Sequence, residues 1–367
     1  MRVLLITGSF PPMRCGVGDY TSCLAQSLAM HSEVEVAVLT SRAAASQSVV
    51  GKVRIFPKVE IWGRRDLGSI RGVLKEWQPD IVHIQFPTQG YGGGALAWFL
   101  PQLCAVSGFR VVQTWHEHFR RIGLRSIAWA LGQALVSGGV VAVHPRYEAS
   151  IPPLLRGALH NKVHRFIPNA AAIPAVSLSP EEREALRRKY GRPEALLIVY
   201  FGFIYPAKGV ELLFDIASAE RHHLVIIGQN SGPEEYYRAV IERAHSPPWV
   251  GRATVTGFLR EEAEVARVLA AADAVVLPFA AGGGEWNTSL HAAQRQGTFV
   301  VTTSAERNGY VAELNTYFAC AGDVPGMRSA LAKYVCRRRP PGGDGMSTEW
   351  DVISAAHLDL YRSLLTA

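Results

Sequence analysis

Met1-Arg2-Val3-Leu4-Leu5-Ile6-Thr7-Gly8 and its counterpart Leu196-Leu197-Ile198-Val199-Tyr200-Phe201-Gly202 decide the fold. Each is apolar at nearly every position and runs into a glycine turn, as a parallel strand covered on both faces must. After the first come similar runs at 34–39, 81–85, 110–114 and 140–143; after the second come 224–227, 254–256, 274–277 and 299–302. Helical stretches lie between them, for example 209–220 and 261–272. Strand and helix alternate twice over, so the reading is α/β with two doubly wound parallel sheets rather than one mixed domain.

The join falls in Ile167-Pro168-Asn169-Ala170-Ala171-Ala172-Ile173-Pro174, where two prolines bracket small residues and end regular pairing. Residues 1–174 and 175–348 are therefore the expected domains. After the Arg/Pro/Gly-rich stretch 337–345, the tail at 349–367 places Ile353, His357, Leu360, Tyr361 and Leu364 near one face at helical spacing, so it must pack on a partner. Spacing alone lets it cover either lobe.

The bulk numbers agree. A chain of 367 residues is long for one core, and 48% hydrophobic against 19% charged residues supplies cores rather than disorder. The apolar start is too short for a signal peptide, and the stretches 95–104 and 127–143 are interrupted by Pro101, Gly132, Gly138 and Gly139, so no membrane span is expected. Cys15, Cys23, Cys104, Cys320 and Cys336 are odd in number and show no Cys-x-x-Cys spacing, which predicts reduced thiols and a cytoplasmic setting. The net charge of +7 favours an anionic partner: a nucleotide sugar, an anionic lipid surface or a nucleic acid.

Four constellations could carry chemistry. Pro11-Pro12-Met13-Arg14-Cys15-Gly16-Val17-Gly18 follows the first strand and opens a helix, where glycines admit a ligand and free N–H groups face an anion. A tight connection explains it equally well, and a dinucleotide fingerprint fits worse, because Thr21 stands at the third glycine position and no acid closes the second strand. Thr114-Trp115-His116-Glu117-His118 ends another strand; its His-x-His pair lacks further ligands at convincing spacing, so no metal site is expected. Gly202-Phe203-Ile204-Tyr205-Pro206-Ala207-Lys208-Gly209 places a lysine before an expected helix, where it would strengthen the field seen by a diphosphate. Gly282-Gly283-Gly284-Glu285-Trp286-Asn287-Thr288-Ser289 is the strongest signal: glycines for close approach, capping side chains, and amides aimed at an anion. A solvated lysine and an acid that merely complements the helix dipole are the plain alternatives for Lys208 and Glu285.

Residues 11–18, His116-Glu117, Pro168-Asn169, Lys208-Gly209, Thr256-Gly257-Phe258 and the Glu285 loop stand in one order that resembles the retaining glycosyltransferases of family 4 over nearly the whole chain. That resemblance implies the GT-B fold, two Rossmann-like domains facing across a cleft. The first would hold the acceptor and be completed by the helix at 349–367; the second would hold the nucleotide-sugar donor. It implies a hexosyltransferase that needs no metal or other cofactor and has no nucleic-acid partner.

Carried over residue by residue, the resemblance places Gly16 and Gly18 near the donor phosphates, His116 near the transferred sugar, Lys208 on the diphosphate and Glu285 on the sugar ring. Phe203, Gly257, Phe258, Leu259, Asn287, Thr288, Ser289 and Leu290 would complete the donor site. Gln85, Tyr91 and Glu117 would meet the acceptor, a glycan, a lipid-linked sugar or a small molecule. The basic-aromatic run 118–125 fits peripheral contact with an anionic membrane as well as it fits a solvated helix face.

Two positions depart from the family pattern: Phe203 replaces a common arginine, and Ala292 replaces a second glutamate, although Glu285, Ser289 and Ala292 together match a shortened variant of the motif. The rival readings are a non-catalytic nucleotide-sugar-binding subunit and a sugar-nucleotide epimerase on the same fold.

Overall fold

The computed structural model describes residues 1–44, 49–116, 132, 134–144, 156–157, 160, 162–280, 282, 287–342 and 347–366. The chain divides into two compact units, Met1–Asn169 with Ser347–Ala367, and Ala170–Met346.

In the first unit the described strands are β1 (Arg2–Ile6), β2 (Glu35–Ser41), β3 (Val49–Val50), β4 (Val53–Val59), β5 (Ile81–Phe86), β6 (Arg110–Trp115), β7 (Gly139–Ala142) and β8 (Val163–Phe166). They form one sheet in the order β3-β4-β2-β1-β5-β6-β7-β8, parallel except for the β3–β4 pair. The chain winds outward from β1 through β2 and β4, then returns to the other side of β1 with β5. The order thus reverses between β1 and β5, the place where open α/β sheets bind ligands at their carboxyl ends. Helices α1 (Gly16–Leu28), α2 (Leu67–Trp77) and α3 (Leu100–Val106) flank the sheet. Ile70, Val73 and Leu74 of α2 and Leu100, Leu103 and Cys104 of α3 share a core with Leu4, Ile6, Ile84 and Val111 of the strands. The C-terminal helix Ser347–Thr366 belongs to this unit and lies along α1, where Ser27 Oγ donates to the Trp350 carbonyl at 3.0 Å.

The second unit repeats the plan with β9 (Leu196–Phe201), β10 (His222–Ile227), β11 (Ala253–Gly257), β12 (Ala274–Leu277), β13 (Val300–Thr303), β14 (Gly309–Val311) and β15 (Thr316–Ala319), in the order β11-β10-β9-β12-β13-β15-β14. Only the β14–β15 pair is antiparallel. Here the order reverses between β9 and β12. The described helices are α4 (Pro180–Tyr190), α5 (Leu213–Ile216), α6 (Glu234–Ala244), α7 (Glu262–Ala271), α8 (Thr288–Arg295) and α9 (Val324–Tyr334).

The expected doubly wound pair of sheets is present, although β3, β4, β8, β14 and β15 lie outside the apolar runs read from the sequence. Strand β4 carries Arg54, Pro57 and Lys58, which break its apolar run. The helix expected at 209–220 is only a turn, Val210–Leu212, followed by α5, because the chain turns extended at Ala217 (ψ 163°). Among the described residues no helix is long and apolar enough to cross a membrane.

One buried charge pins the second sheet. Asp273, 3% exposed at the start of β12, accepts from Leu197 N (2.7 Å) and Arg183 (2.9 Å) and also pairs with Arg187. Asp273→Ala would strand two guanidinium groups and a buried N–H, at an expected cost of about 3 kcal/mol read from the urea midpoint. Breaking the exposed Arg54–Glu76 pair by Arg54→Ala should cost under about 1 kcal/mol.

Candidate functional site

The segments expected to act on one anion in the second unit converge at its switch point. The loop after β9 carries Lys208 and the loop after β12 leads to α8; they are tied by a hydrogen bond from Ala280 N to Ala207 O at 3.0 Å. Gly209 sits so close to the carbonyl of Pro278 that any Cβ there would collide with it, and its φ of +63° is left-handed as well. The Lys208 ammonium lies 4.6 Å from the centroid of the Phe279 ring and 5.7 Å from that of Tyr205, and makes no hydrogen bond or ion pair among the described residues. Loss of hydration lowers its amine to about 8, so it is still cationic at neutral pH but poorly solvated.

The amino end of α8 supplies donors to the same place. Asn287 caps the helix by accepting from Ser289 N at 3.2 Å, and Leu290 N donates to the Asn287 carbonyl at 3.0 Å. The amides of Ser289 and Leu290 are therefore already engaged. The Ser289 hydroxyl faces Gly202, where a Cβ would lie 3.1 Å from it. The sequence expected a helix field at Lys208 from the stretch that follows the lysine, but that stretch is only a short turn.

Glycines keep the floor bare. Gly202, Gly228 and Gly257 end or follow the adjacent strands β9, β10 and β11, and a Cβ on Gly228 would collide with the Gly202 carbonyl. Phe203 directs its carbonyl to the Tyr200 hydroxyl at 2.7 Å. Phe258 is 41% exposed beyond β11, and Leu259 packs half-buried on the core. Glu285 lies outside the described residues.

In the first unit His116 ends β6 beside the switch point. Its N–H at Nε2 donates to Gln85 Oε1 at 2.9 Å, and its backbone N donates to Phe86 O at 3.0 Å. Burial, reinforced by the neighbouring His357, lowers its ring to about 3, so it is neutral and can bond a substrate but not protonate one at neutral pH. Gln85 Nε2 and Thr88 Oγ1 are buried without hydrogen-bond partners among the described residues. Such orphans are costly, and a polar ligand group is one way to satisfy them. The Tyr91 hydroxyl is spent on the Gln85 carbonyl at 3.0 Å, so Tyr91 braces this corner through its ring and backbone rather than offering a free hydroxyl.

Gly16 opens α1 with space around it, whereas Gly18 packs its backbone against Ser9 O, 3.0 Å from where a Cβ would stand. No side chain caps the start of α1. Glu117 and the run 118–125 lie outside the described residues. Among those described, no three His, Cys, Asp or Glu side chains gather as a metal group would require.

Sequence reasoning missed the crossing of Gly8 and Gly90, each of which would collide with the other's loop if it carried a Cβ. It also missed Ser9, which accepts from Gly90 N at 2.7 Å, and Ser41, which donates to Gly8 O at 2.6 Å. The one available signal was Gly8 itself, at the end of an apolar run.

Two family profiles match the chain: Glycosyltransferase Family 4 over residues 15–203 and Glycosyl transferases group 1 over residues 195–336. A GDP-mannose-dependent alpha-mannosyltransferase of Mycolicibacterium smegmatis is 27% identical over 85% of this chain and 81% of its own length. One of Mycobacterium tuberculosis is 27% identical over 61% of this chain, and the match spans only 56% of that protein. Among solved structures, a sucrose-phosphate synthase of Thermosynechococcus elongatus superposes with a TM-score of 0.72 at 15% identity, covering 100% and 99% of the two chains. The catalytic domain of starch synthase IV of Arabidopsis thaliana, bound to ADP and acarbose, does so at 0.69 and 13%, covering 100% of both.

Gly209 and Gly257 share a left-handed φ, +63° and +69°, but only Gly209 is crowded. Gly257→Ala should cost about 1 kcal/mol of stability for its φ alone. Gly209→Ala should cost at least about 2 kcal/mol because the collision adds to the strain. Equal urea midpoints for the two variants would contradict the close approach.

Proposed function

The chain belongs to glycosyltransferase family 4, and we propose that it is a retaining, metal-independent hexosyltransferase that uses a nucleoside diphosphate sugar. The names of its relatives make GDP-mannose the first donor to test. The acceptor is a glycan, a lipid-linked sugar or a small molecule.

One observation carries this reading: the turn that holds Lys208 lies against the end of β12 where the order of the second sheet reverses, and Ser289 at the start of α8 faces Gly202 at the end of β9. A desolvated cation beside an open helix end suits a diphosphate whose negative charge grows as it leaves. In the proposed step the bond from the anomeric carbon to the diphosphate oxygen breaks, and the acceptor oxygen bonds to that carbon on the same face. The departing phosphate takes the acceptor proton. Lys208 and α8 neutralise the leaving group, so the scheme requires no metal. Phe258 and Leu259 would flank the base, Glu285 would hold the sugar hydroxyls, and neutral His116 would hydrogen-bond the transferred sugar.

Lys208→Ala should lower transfer from GDP-mannose by at least about tenfold, or ~1.4 kcal/mol. The Lys208 amine is protonated below about 8 and neutral above it. Donor binding to the free protein should therefore hold steady on the acid side and weaken as pH rises through that value. Lys208→Arg, which stays charged, should lose that alkaline limb. Transfer measured with labelled donors, GDP-mannose first, checks both; full activity in Lys208→Ala would remove the assignment, and donor binding without any turnover would favour a binding subunit.

A further inference from the structure

His83 and His357 are fully buried in the first unit, and the scheme above uses neither. The partners of His357 fix its hydrogen. His357 Nδ1 lies 2.8 Å from the Ile353 carbonyl, which can only accept, so Nδ1 carries the hydrogen and Nε2 is bare. The Tyr20 hydroxyl, 3.4 Å from that bare nitrogen, must then be the donor. Beside this chain of bonds, His83 bridges Thr114 Oγ1 at 2.7 Å and Tyr361 Oη at 2.6 Å, and its ring lies 5.5 Å from that of His357.

This chain joins the C-terminal helix, which carries Ile353, His357 and Tyr361, to Tyr20 on α1. The Tyr20 ring, held by its hydroxyl, stands edge-on to His116 with centroids 4.9 Å apart and planes at 78°, and Trp350 backs it at 5.4 Å. Besides Tyr20, the hydrogen bond to Gln85 is the other side-chain contact that orients the His116 ring among the described residues. A terminal amide can rotate about its last bond, so Gln85 alone leaves the ring free to tilt.

We propose that Tyr20 and His357 are positioning residues for His116, so that the C-terminal helix sets the orientation of a ring on the opposite side of Tyr20 from itself. This rests on the reading of His116 as a sugar contact, and the test separates the two ideas. Histidine-labelled protein is compared by NMR without substrate, alongside transfer kinetics, for Tyr20→Phe, His357→Leu, His357→Gln and His116→Ala.

Tyr20→Phe and His357→Leu should each shift the His116 ring signals and lower kcat by about tenfold, because small misplacements at a reacting centre are amplified. The donor KM should stay within about twofold, since Lys208 and the start of α8, proposed to hold the diphosphate, lie in the other unit. His357→Gln, whose amide oxygen can accept from Tyr20, should restore kcat to within about threefold of the wild type. Unmoved His116 signals in both Tyr20→Phe and His357→Leu would overturn the proposal, as would Leu and Gln variants that behave alike. Tyr20→Phe removes a single oxygen and carries the test if His357→Leu does not fold. Full transfer by His116→Ala would sink the sugar-contact reading instead, and the NMR comparison would show that independently.

Discussion

A close approach of two backbone segments governs the second unit: the turn after β9 lies against the carboxyl end of β12, with Gly209 on the Pro278 carbonyl and Ala280 N bonded to Ala207 O. Lys208 and Phe279 are the immediate neighbours of that contact, so the ammonium necessarily lies over the ring. The ring displaces water that would otherwise solvate the charge, which is why the amine falls to about 8. An anion that reaches this lysine replaces hydration already lost, so less of the attraction is spent on stripping water. Pairing strength and lowered basicity have one cause here.

Much of this was legible because a parallel strand covered on both faces has to be apolar at every position. Runs such as 196–201 and 274–277 announced both the sheets and the loops that follow them. Lys208 and Asn287 could be placed in the loops at the carboxyl ends of β9 and β12 for the same reason, since each follows such a run. What stayed hidden depends on pairings distant in sequence. No local pattern says that Gly8 meets Gly90, or that His83 meets Tyr361, 278 residues later. Strand β4 was hidden for a different reason, since its exposed positions hold charges that interrupt the pattern. The helix expected at 209–220 failed because the backbone turns extended at Ala217, inside the stretch read as helical.

The first unit uses burial for the opposite electrostatic end. His83, His116 and His357 all lose basicity mainly to desolvation, and the partners of His116 and His357 define which nitrogen carries the hydrogen. The second unit offers a poorly hydrated cation, the first neutral rings.

The two departures from the family pattern also acquire a physical setting. Phe203 accepts from the Tyr200 hydroxyl through its carbonyl and adds no second cation, so on the proposed reading neutralisation falls on Lys208 and α8. Ala292 is 1% exposed in the core beside Leu290 and Ala293. A carboxylate there would have to be desolvated among aliphatic side chains at a cost of several kcal/mol, so the acid is excluded by packing rather than lost from a wet site. On the proposed reading, a nucleotide's ribose must then be held by something other than a carboxylate at this position.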